Sequence, residues 1–489
     1  VKRSKHTLSN YRLLTCEMGN LIPIGLQEAL PGDTFQLSSS AMVRVSPLAA
    51  PVMHPVTVRI HHFFVPHRLL WSGWEDFITG GPDGMNATSP PTVTVPGTVE
   101  GTLFDYLGIP DNANGCAISA LPLNGINLIW NEYYRDQDLQ SERTSTDPTL
   151  PSIAWGKDYF TTARPWSQKG PDITVPIGDK APVMGLTTNP AATWAAVGTA
   201  RDGSGTIRSQ PPGKSTQVGT WGYVIEDPDH PGYPGAYADL SMAGAANIND
   251  FRRAFALQRY QEARAQYGSR YTEYLRYLGV TPSDARLQRP EYIGGGSTRL
   301  NFSEVLQTAQ ADNPDRETYG VGDLYGHGVA GLRSGRVRRF IEEHGYIHSF
   351  ISVRPRGIYQ NGINRTFLKK TKEDFFQKEL QYIGQQEVLD NEVYAKSTNT
   401  DAHVFGYSDR YAEYRSTPSL VTGEFRNLLD YWHMARQLPD TTTLNEDFVK
   451  CVPTKRIYNV QTNDVLWIQV NNNVVARRMV GKTPYARIL

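Results

Sequence analysis

Cysteine is scarce in this 489-residue chain: Cys16, Cys116 and Cys451 are odd in number, far apart and without a C-x-x-C. That excludes a disulfide framework and a zinc ribbon and fits a reducing compartment. Net charge is absent as well, with 49 basic residues against 49 acidic ones, so any attraction to nucleic acid must come from local clusters and not from the overall field. No run approaches the ~20 apolar residues that span a bilayer. With 39% hydrophobic residues and a mean hydropathy of −0.44 the chain reads as soluble. Val1-Lys2-Arg3-Ser4-Lys5-His6 is charged, but no apolar stretch follows it, so it does not read as a secretory signal. The length allows about three domains of ~150 residues, or one β-domain with long insertions.

Glycine and proline are plentiful, at 43 and 32 residues, and 26 tyrosines help bring aromatics to 11%, which favours many short strands joined by long loops. Val56, Val58 and Ile60 alternate with Thr57, Arg59 and His61, predicting a strand with one buried face. The same reasoning predicts strands at 345–353 and 465–470. Residues 69–78 are expected to form a short helix packed beneath the strands, residues 79–125 loops, and residues 126–135 a helix. The stretch 172–239, rich in Gly, Pro, Thr and Ala, reads as an insertion. Asn247 or Asn249 caps a helical insertion over 247–278, with Gly268 interrupting it. Strands near both ends suggest a sheet-on-sheet sandwich whose termini pair late. There is no internal repeat.

The chemistry on offer is thin. Gly481-Lys482-Thr483 lacks the glycine that a phosphate loop needs at position 476, where Ala476 stands. His344 and His348 lie four residues apart in a predicted strand, too far to share one metal unaided, and His61 and His62 point to opposite strand faces. Gly294-Gly295-Gly296 reads as a plain turn. No G-x-S-x-G elbow or paired carboxylate stands out, so no enzymatic activity, metal or cofactor is expected. Three basic clusters remain: a basic N-terminal arm over 1–12; Arg333, Arg336, Arg338 and Arg339; and a basic C-terminal tail over 473–489. Cationic arms gain affinity for phosphates without reading sequence. Lys2, Arg3, Lys5, Arg477, Arg478, Lys482 and Arg487 are therefore candidate nucleic-acid contacts, with aromatics available to stack on unpaired bases.

Several longer blocks carry a resemblance. Asn20-Leu21-Ile22-Pro23-Ile24, Glu28-Ala29-Leu30-Pro31-Gly32-Asp33-Thr34-Phe35, Phe63-Phe64-Val65-Pro66-His67-Arg68-Leu69-Leu70-Trp71 and Trp74-Glu75-Asp76-Phe77 resemble the major capsid protein of microviruses, small single-stranded DNA bacteriophages. The likeness continues through residues 287–298, Glu343-His344-Gly345-Tyr346, Val404-Phe405-Gly406-Tyr407 and Tyr411-Ala412-Glu413-Tyr414-Arg415, and it is nearest the gokushovirus-like branch. Ala29 and His67 depart mildly from the family's usual Val and Asn, and the C-terminal end is more basic than in many relatives.

The resemblance implies an all-β core: a jelly-roll β-sandwich with large loop and helical insertions, forming one capsid domain over 1–489. Its implied function is assembly into a T=1 icosahedral shell around circular single-stranded DNA. The variable surface insertion at 172–239 becomes a candidate threefold protrusion involved in host attachment. Implied partners are copies of the chain itself, the genome, an internal scaffold, a DNA pilot protein and a host-cell surface receptor. The implied location is the virion, after synthesis in the bacterial host cytoplasm. Trp71, Trp74 and Phe77 are candidate interface anchors, since aromatics are enriched at interface cores. The alternative is a carbohydrate-binding or glycan-cleaving jelly roll, because this fold hosts both.

Overall fold

The computed structural model describes residues 3–171, 248–268, 270–306, 324–395 and 403–481, with short segments at 173, 183–184, 186–187, 200–201, 207–208, 223–224, 237–238 and 308. The chain divides into two compact units, Val1–Gln168 with Arg264–Leu489, and Lys169–Ala263.

The first unit is built on a ten-stranded antiparallel sheet. Its strands are β1 (Ser4–Thr7), β2 (Asn10–Cys16), β3 (Leu21–Ala29), β4 (Thr34–Val45), β5 (Val56–Pro66), β6 (Glu291–Leu306), β7 (Leu324–Arg333), β8 (Val337–Phe340), β9 (Gly345–Pro355) and β10 (Leu466–Arg478). The long β6 joins two halves, pairing residues 291–300 with β5 and 301–306 with β7. Leaving aside the short β1 and β8, one half runs β2-β10-β4-β7 and the other β3-β9-β5-β6. Each strand from β3 to β5 lies in the opposite half from its predecessor, as in the double Greek key of a jelly roll. The all-β jelly-roll core expected from the sequence is present, and the ends of the chain do pair, β1 and β2 both lying along β10.

Period-two burial explains the sandwich. Leu466, Ile468 and Val470 of β10 point inward and join Val43 and Val45 of β4, Val56, Val58 and Ile60 of β5, and Ile351 and Val353 of β9 in one apolar cluster, while Val474 and Ala476 join Phe35, Leu37, Phe64 and Ile347 in another. Asn472 shares the inward register, but its amide is satisfied by Ser39, Asn10 and the carbonyl of Ile24, so it carries no desolvation penalty. A second core lies outside β3-β9-β5. There α1 (Leu121–Tyr133), started by a proline in its first turn, lays Leu123, Ile126, Ile129 and Trp130 over Leu21, Phe63, Val65 and Phe350. Gly125 permits the close approach, since a Cβ there would lie 2.4 Å from Nε2 of His348.

Three expectations change. Gly294-Gly295-Gly296 is not a turn but part of β6, beside a bulge between Tyr292 and Gly294. A Cβ on Gly295 would lie 2.2 Å from the Ile60 carbonyl oxygen, and one on Gly296 would lie 2.9 Å from Cα of Ser334, so glycine is needed where neighbouring backbone presses on the strand. Residues 69–78 are not one buried helix. One-turn helices at His67–Leu70 and Trp74–Thr79 are separated by Trp71 in an extended conformation, and the second buries no residue. The loops expected at 79–125 contain a helix at Leu103–Leu107 and a ladder pairing Thr92–Thr94 with Ala117–Ser119.

Most of 172–239 lies outside the described residues. Within it, Val183–Met184 pairs with Tyr237–Ala238, Leu186–Thr187 with Tyr223–Val224, and Ala200–Arg201 with Ile207–Arg208, pairs that nest in sequence. Helix α2 (Ile248–Tyr267) stops at Gly268, whose φ of +98° suits a residue without a side chain, and α3 (Tyr271–Tyr277) follows.

Candidate functional site

Among the described residues the outer face of β2-β10-β4-β7 has no covering layer like that supplied by α1. Alternation places Tyr11 and Leu13 of β2, Trp467 of β10, Met42 of β4 and Val329 of β7 on it, with Leu13 72% and Trp467 48% exposed. Trp467 stands between Thr15 and Arg44 in the register, and Met42 is opposite Gln469. One end of the face is walled by residues 100–108 and 462–464, forming a groove of 1470 Å³ along Arg12, Tyr106, Arg44 and Trp467. Arg12 is held there by the Tyr106 carbonyl at 2.9 Å, and the Tyr106 hydroxyl donates to the carbonyl of Thr15 at 2.7 Å.

Cations collect on the same face. Lys5 of β1 stands opposite Arg477 of β10, and Arg44 and Arg333 lie further along. All four are exposed, and none forms an ion pair among the described residues. Sequence reasoning named Lys5 and Arg477, and the fold brings them together. Arg3 sits near this edge, donating to the Gly32 carbonyl at 2.7 Å.

Residues 4–7 and 10–16 are zipped onto β10, which itself runs to Arg478, so among the described residues most of the stretch expected as an arm and the first part of that expected as a tail form one antiparallel seam. Arg478, also a candidate contact, is engaged within the subunit. Its guanidinium donates to Asp33 at 2.7 Å and to the Glu28 carbonyl at 3.0 Å, and Asp33 is fully buried. A buried carboxylate needs that partner. Lys2, Lys482 and Arg487 lie outside the described residues.

Trp71, Trp74 and Phe77 form a half-exposed aromatic cluster, with ring centroids 5.6 Å apart for Trp71–Phe77 and 5.8 Å for Trp74–Phe77. Trp74 also meets His67 at 4.4 Å and His344 at 5.5 Å. Burial pushes the His67 imidazole down to about 4, with His344 adding to the shift, so the ring stays neutral against the indole. The sequence reading missed the row Tyr11, Leu13, Met42 and Trp467. Its signal was available in the outward register of β10, where an indole occupies a position that alternation assigns to solvent. No group of three or more metal-ligating side chains occurs among the described residues.

The family model for the capsid protein (F protein) matches residues 1–484. The chain belongs to this capsid protein family. It is 34% identical to capsid protein VP1 of Bdellovibrio phage phiMH2K, over 92% of this chain and 88% of that protein. It is 31% identical to capsid protein VP1 of Chlamydia phage 1, over 92% and 89%, and 30% identical to that of Spiroplasma virus 4, over 92% and 88%. These relatives are gokushovirus-like, so the chain is a major capsid protein of the microvirus type. For a capsid protein the partner is first of all its own copies, and its place is the virion. No helix among the described residues is long and apolar enough to cross a membrane.

Proposed function

We propose that copies of this capsid protein close into a T=1 icosahedral shell around circular single-stranded DNA, with the open face of β2-β10-β4-β7 meeting the genome. The observation that carries this reading is the placement, on one sheet face left open among the described residues, of exposed Trp467 and Tyr11 with the exposed cations Lys5, Arg44, Arg333 and Arg477, which form no ion pair there. Cations neutralise phosphates and release counterions, while aromatic faces stack on bases of any sequence. Near-zero net charge limits repulsion among many copies of a shell subunit. Trp71, Trp74 and Phe77 serve contacts between copies, and 172–239 supplies the threefold protrusion and host attachment, since loops tolerate change without disturbing a core. An internal scaffold, a DNA pilot protein and a host receptor complete the partners, and synthesis takes place in the bacterial cytoplasm. The role is structural, without catalysis.

The test is a reconstruction of purified particles combined with the charge variant Lys5→Gln/Arg44→Gln/Arg333→Gln/Arg477→Gln. Nucleic-acid density along the Trp467 face and a reduced DNA content in the variant are expected. Normal DNA content in the variant, or an outward-facing Trp467, overturns the assignment of this face.

A further inference from the structure

The opposite face of the sandwich carries a second cluster of cations. Where α1 ends its coverage of β3-β9-β5-β6, three neighbouring strands place arginines side by side. Thr57 of β5 stands opposite Arg299 of β6 on one side and Arg354 of β9 on the other, and Arg59 stands opposite Ser297 and Ser352 one pleat further on. Adjacent strands are about 4.8 Å apart and residues i and i+2 share a face. The three guanidiniums therefore rise from one patch with hydroxyl groups between them.

Like charges so placed destabilise a sheet unless something separates them. No carboxylate among the described residues does so: Arg59 and Arg299 have no hydrogen-bond or ion-pair partner there, and Arg354 reaches only the Ala154 carbonyl, at 3.4 Å. The repulsion is felt locally, since burial and then Arg59 hold the Arg354 guanidinium below its ordinary range, and burial, Arg59 and Arg354 push His61 down to about 4.

Arg354 lies between two cavities. One of 540 Å³ adds Arg135, Arg164 and Arg270 to Arg59 and Arg354; the other, of 400 Å³, joins Arg354 to Arg299, Arg356 and Thr57. The acids nearby are already engaged. Asp136 takes Lys157 at 2.6 Å, Asp138 takes Arg164 at 3.3 Å, and Glu273 accepts from the backbone N–H of Arg270. Asp158 accepts from Tyr359 at 2.8 Å and from the hydroxyl and N–H of Thr161 at 2.9 Å. The volumes lie within the ~300–1,000 Å³ usual for small-ligand sites, and planar forked guanidiniums with flanking hydroxyls match the oxygens of phosphate.

We propose that Arg59, Arg299 and Arg354 form a binding site for a phosphate group. The group accepted is either free phosphate or a phosphodiester of a nucleic-acid strand, and the site is distinct from the Trp467 face. It does not depend on the shell reading, because it is measured on the purified full-length subunit whether or not particles form.

The experiment measures binding and melting with inorganic phosphate, pyrophosphate and a short oligodeoxythymidylate, against sodium chloride at matched ionic strength. Phosphate or pyrophosphate should raise the melting midpoint where chloride does not. Arg299→Gln and Arg354→Gln should each weaken binding roughly tenfold or more, as loss of a charge-assisted hydrogen bond does. Without added anion both variants should melt no lower than the parent, because like-charge repulsion is relieved; a purely structural arginine would give the reverse. Arg299 is exposed, so Arg299→Gln decides the matter if Arg354→Gln does not fold. Displacement of phosphate by the oligonucleotide marks a phosphodiester as the ligand, and phosphate binding without displacement marks a free phosphate. The proposal is overturned if chloride or acetate matches phosphate, or if Arg299→Gln binds as the parent does.

Discussion

The outer face of β3-β9-β5-β6 buries Phe63, Val65 and Phe350 under α1, whereas the outer face of β2-β10-β4-β7 leaves Leu13, Met42 and Trp467 uncovered. Burial follows the same division. Residues 347–353 of β9 are buried without interruption, while β10 alternates buried and exposed positions through most of its length. A sheet covered on both faces reads as a continuous apolar run, and one covered on a single face as alternation. Beneath α1, one half of the sandwich is thus finished by its own chain. The other ends in a face whose aromatic and aliphatic groups are left exposed among the described residues, as a shell subunit requires of surfaces that meet other molecules.

The strongest test of this division acts on the finished half. Phe350 is 1% exposed, packed 6.1 Å from Phe63 beneath α1. Phe350→Ala should lower the stability of the isolated subunit by about 3–5 kcal/mol, the loss of a buried aromatic plus its cavity, read as a shift of the urea midpoint at unchanged slope. A change below about 1 kcal/mol would mean that α1 is not firmly seated on the sheet.

A smaller effect comes from protons. His348 is wholly buried under Gly125 with neither ring nitrogen hydrogen-bonded, and burial, then His67, pushes its pKa down to about 3. His62, bonded to Ser349 at 2.8 Å, is pushed down to about 4 by burial and then by His61. Both are neutral in the folded chain and become protonated near 6.5 when it unfolds. Below that pH the unfolded chain binds more protons, so stability is fully present above about 6.5 and falls as pH drops toward 4. Each histidine contributes at most about 1.4 kcal/mol per pH unit. His348→Leu should flatten the dependence of the melting midpoint between pH 6.5 and 4.5, and an unchanged slope would show that His348 titrates elsewhere.

Legibility in the sequence divides along the same line. The strands expected at 56–61, 345–353 and 465–470 are present as 56–66, 345–355 and 466–478, the far half of the last having read as part of a basic tail, and family blocks such as Phe63–Trp71 point to the fold. What was missed depends on distant partners. Gly294–Gly296 looks like a turn because glycine is poor in strands, and the backbone at Ser334 that demands it lies far along the chain. Arg478 looks like a free tail cation because Asp33 is 445 residues away. The arginine patch is equally silent in one dimension, since Arg59, Arg299 and Arg354 meet only through strand register.

The smallest expected change in the monomer is the most discriminating. Trp467→Ala removes a half-exposed indole from the open face, where no layer among the described residues covers it as α1 covers Phe350. Stability of the isolated chain should therefore change by no more than about 0.5 kcal/mol, the usual range for a surface substitution. Particle yield or DNA content should nevertheless fall clearly, because the groups that complete this face arrive only on assembly. A large loss of monomer stability would show that the indole is already part of the subunit's own packing, and the two faces would then differ in degree alone. Full stability together with normal particles would show that the open face meets neither genome nor neighbour, and the comparison would lose its functional meaning. Only the combination of an unaffected subunit and an impaired particle places the energetic role of Trp467 between molecules.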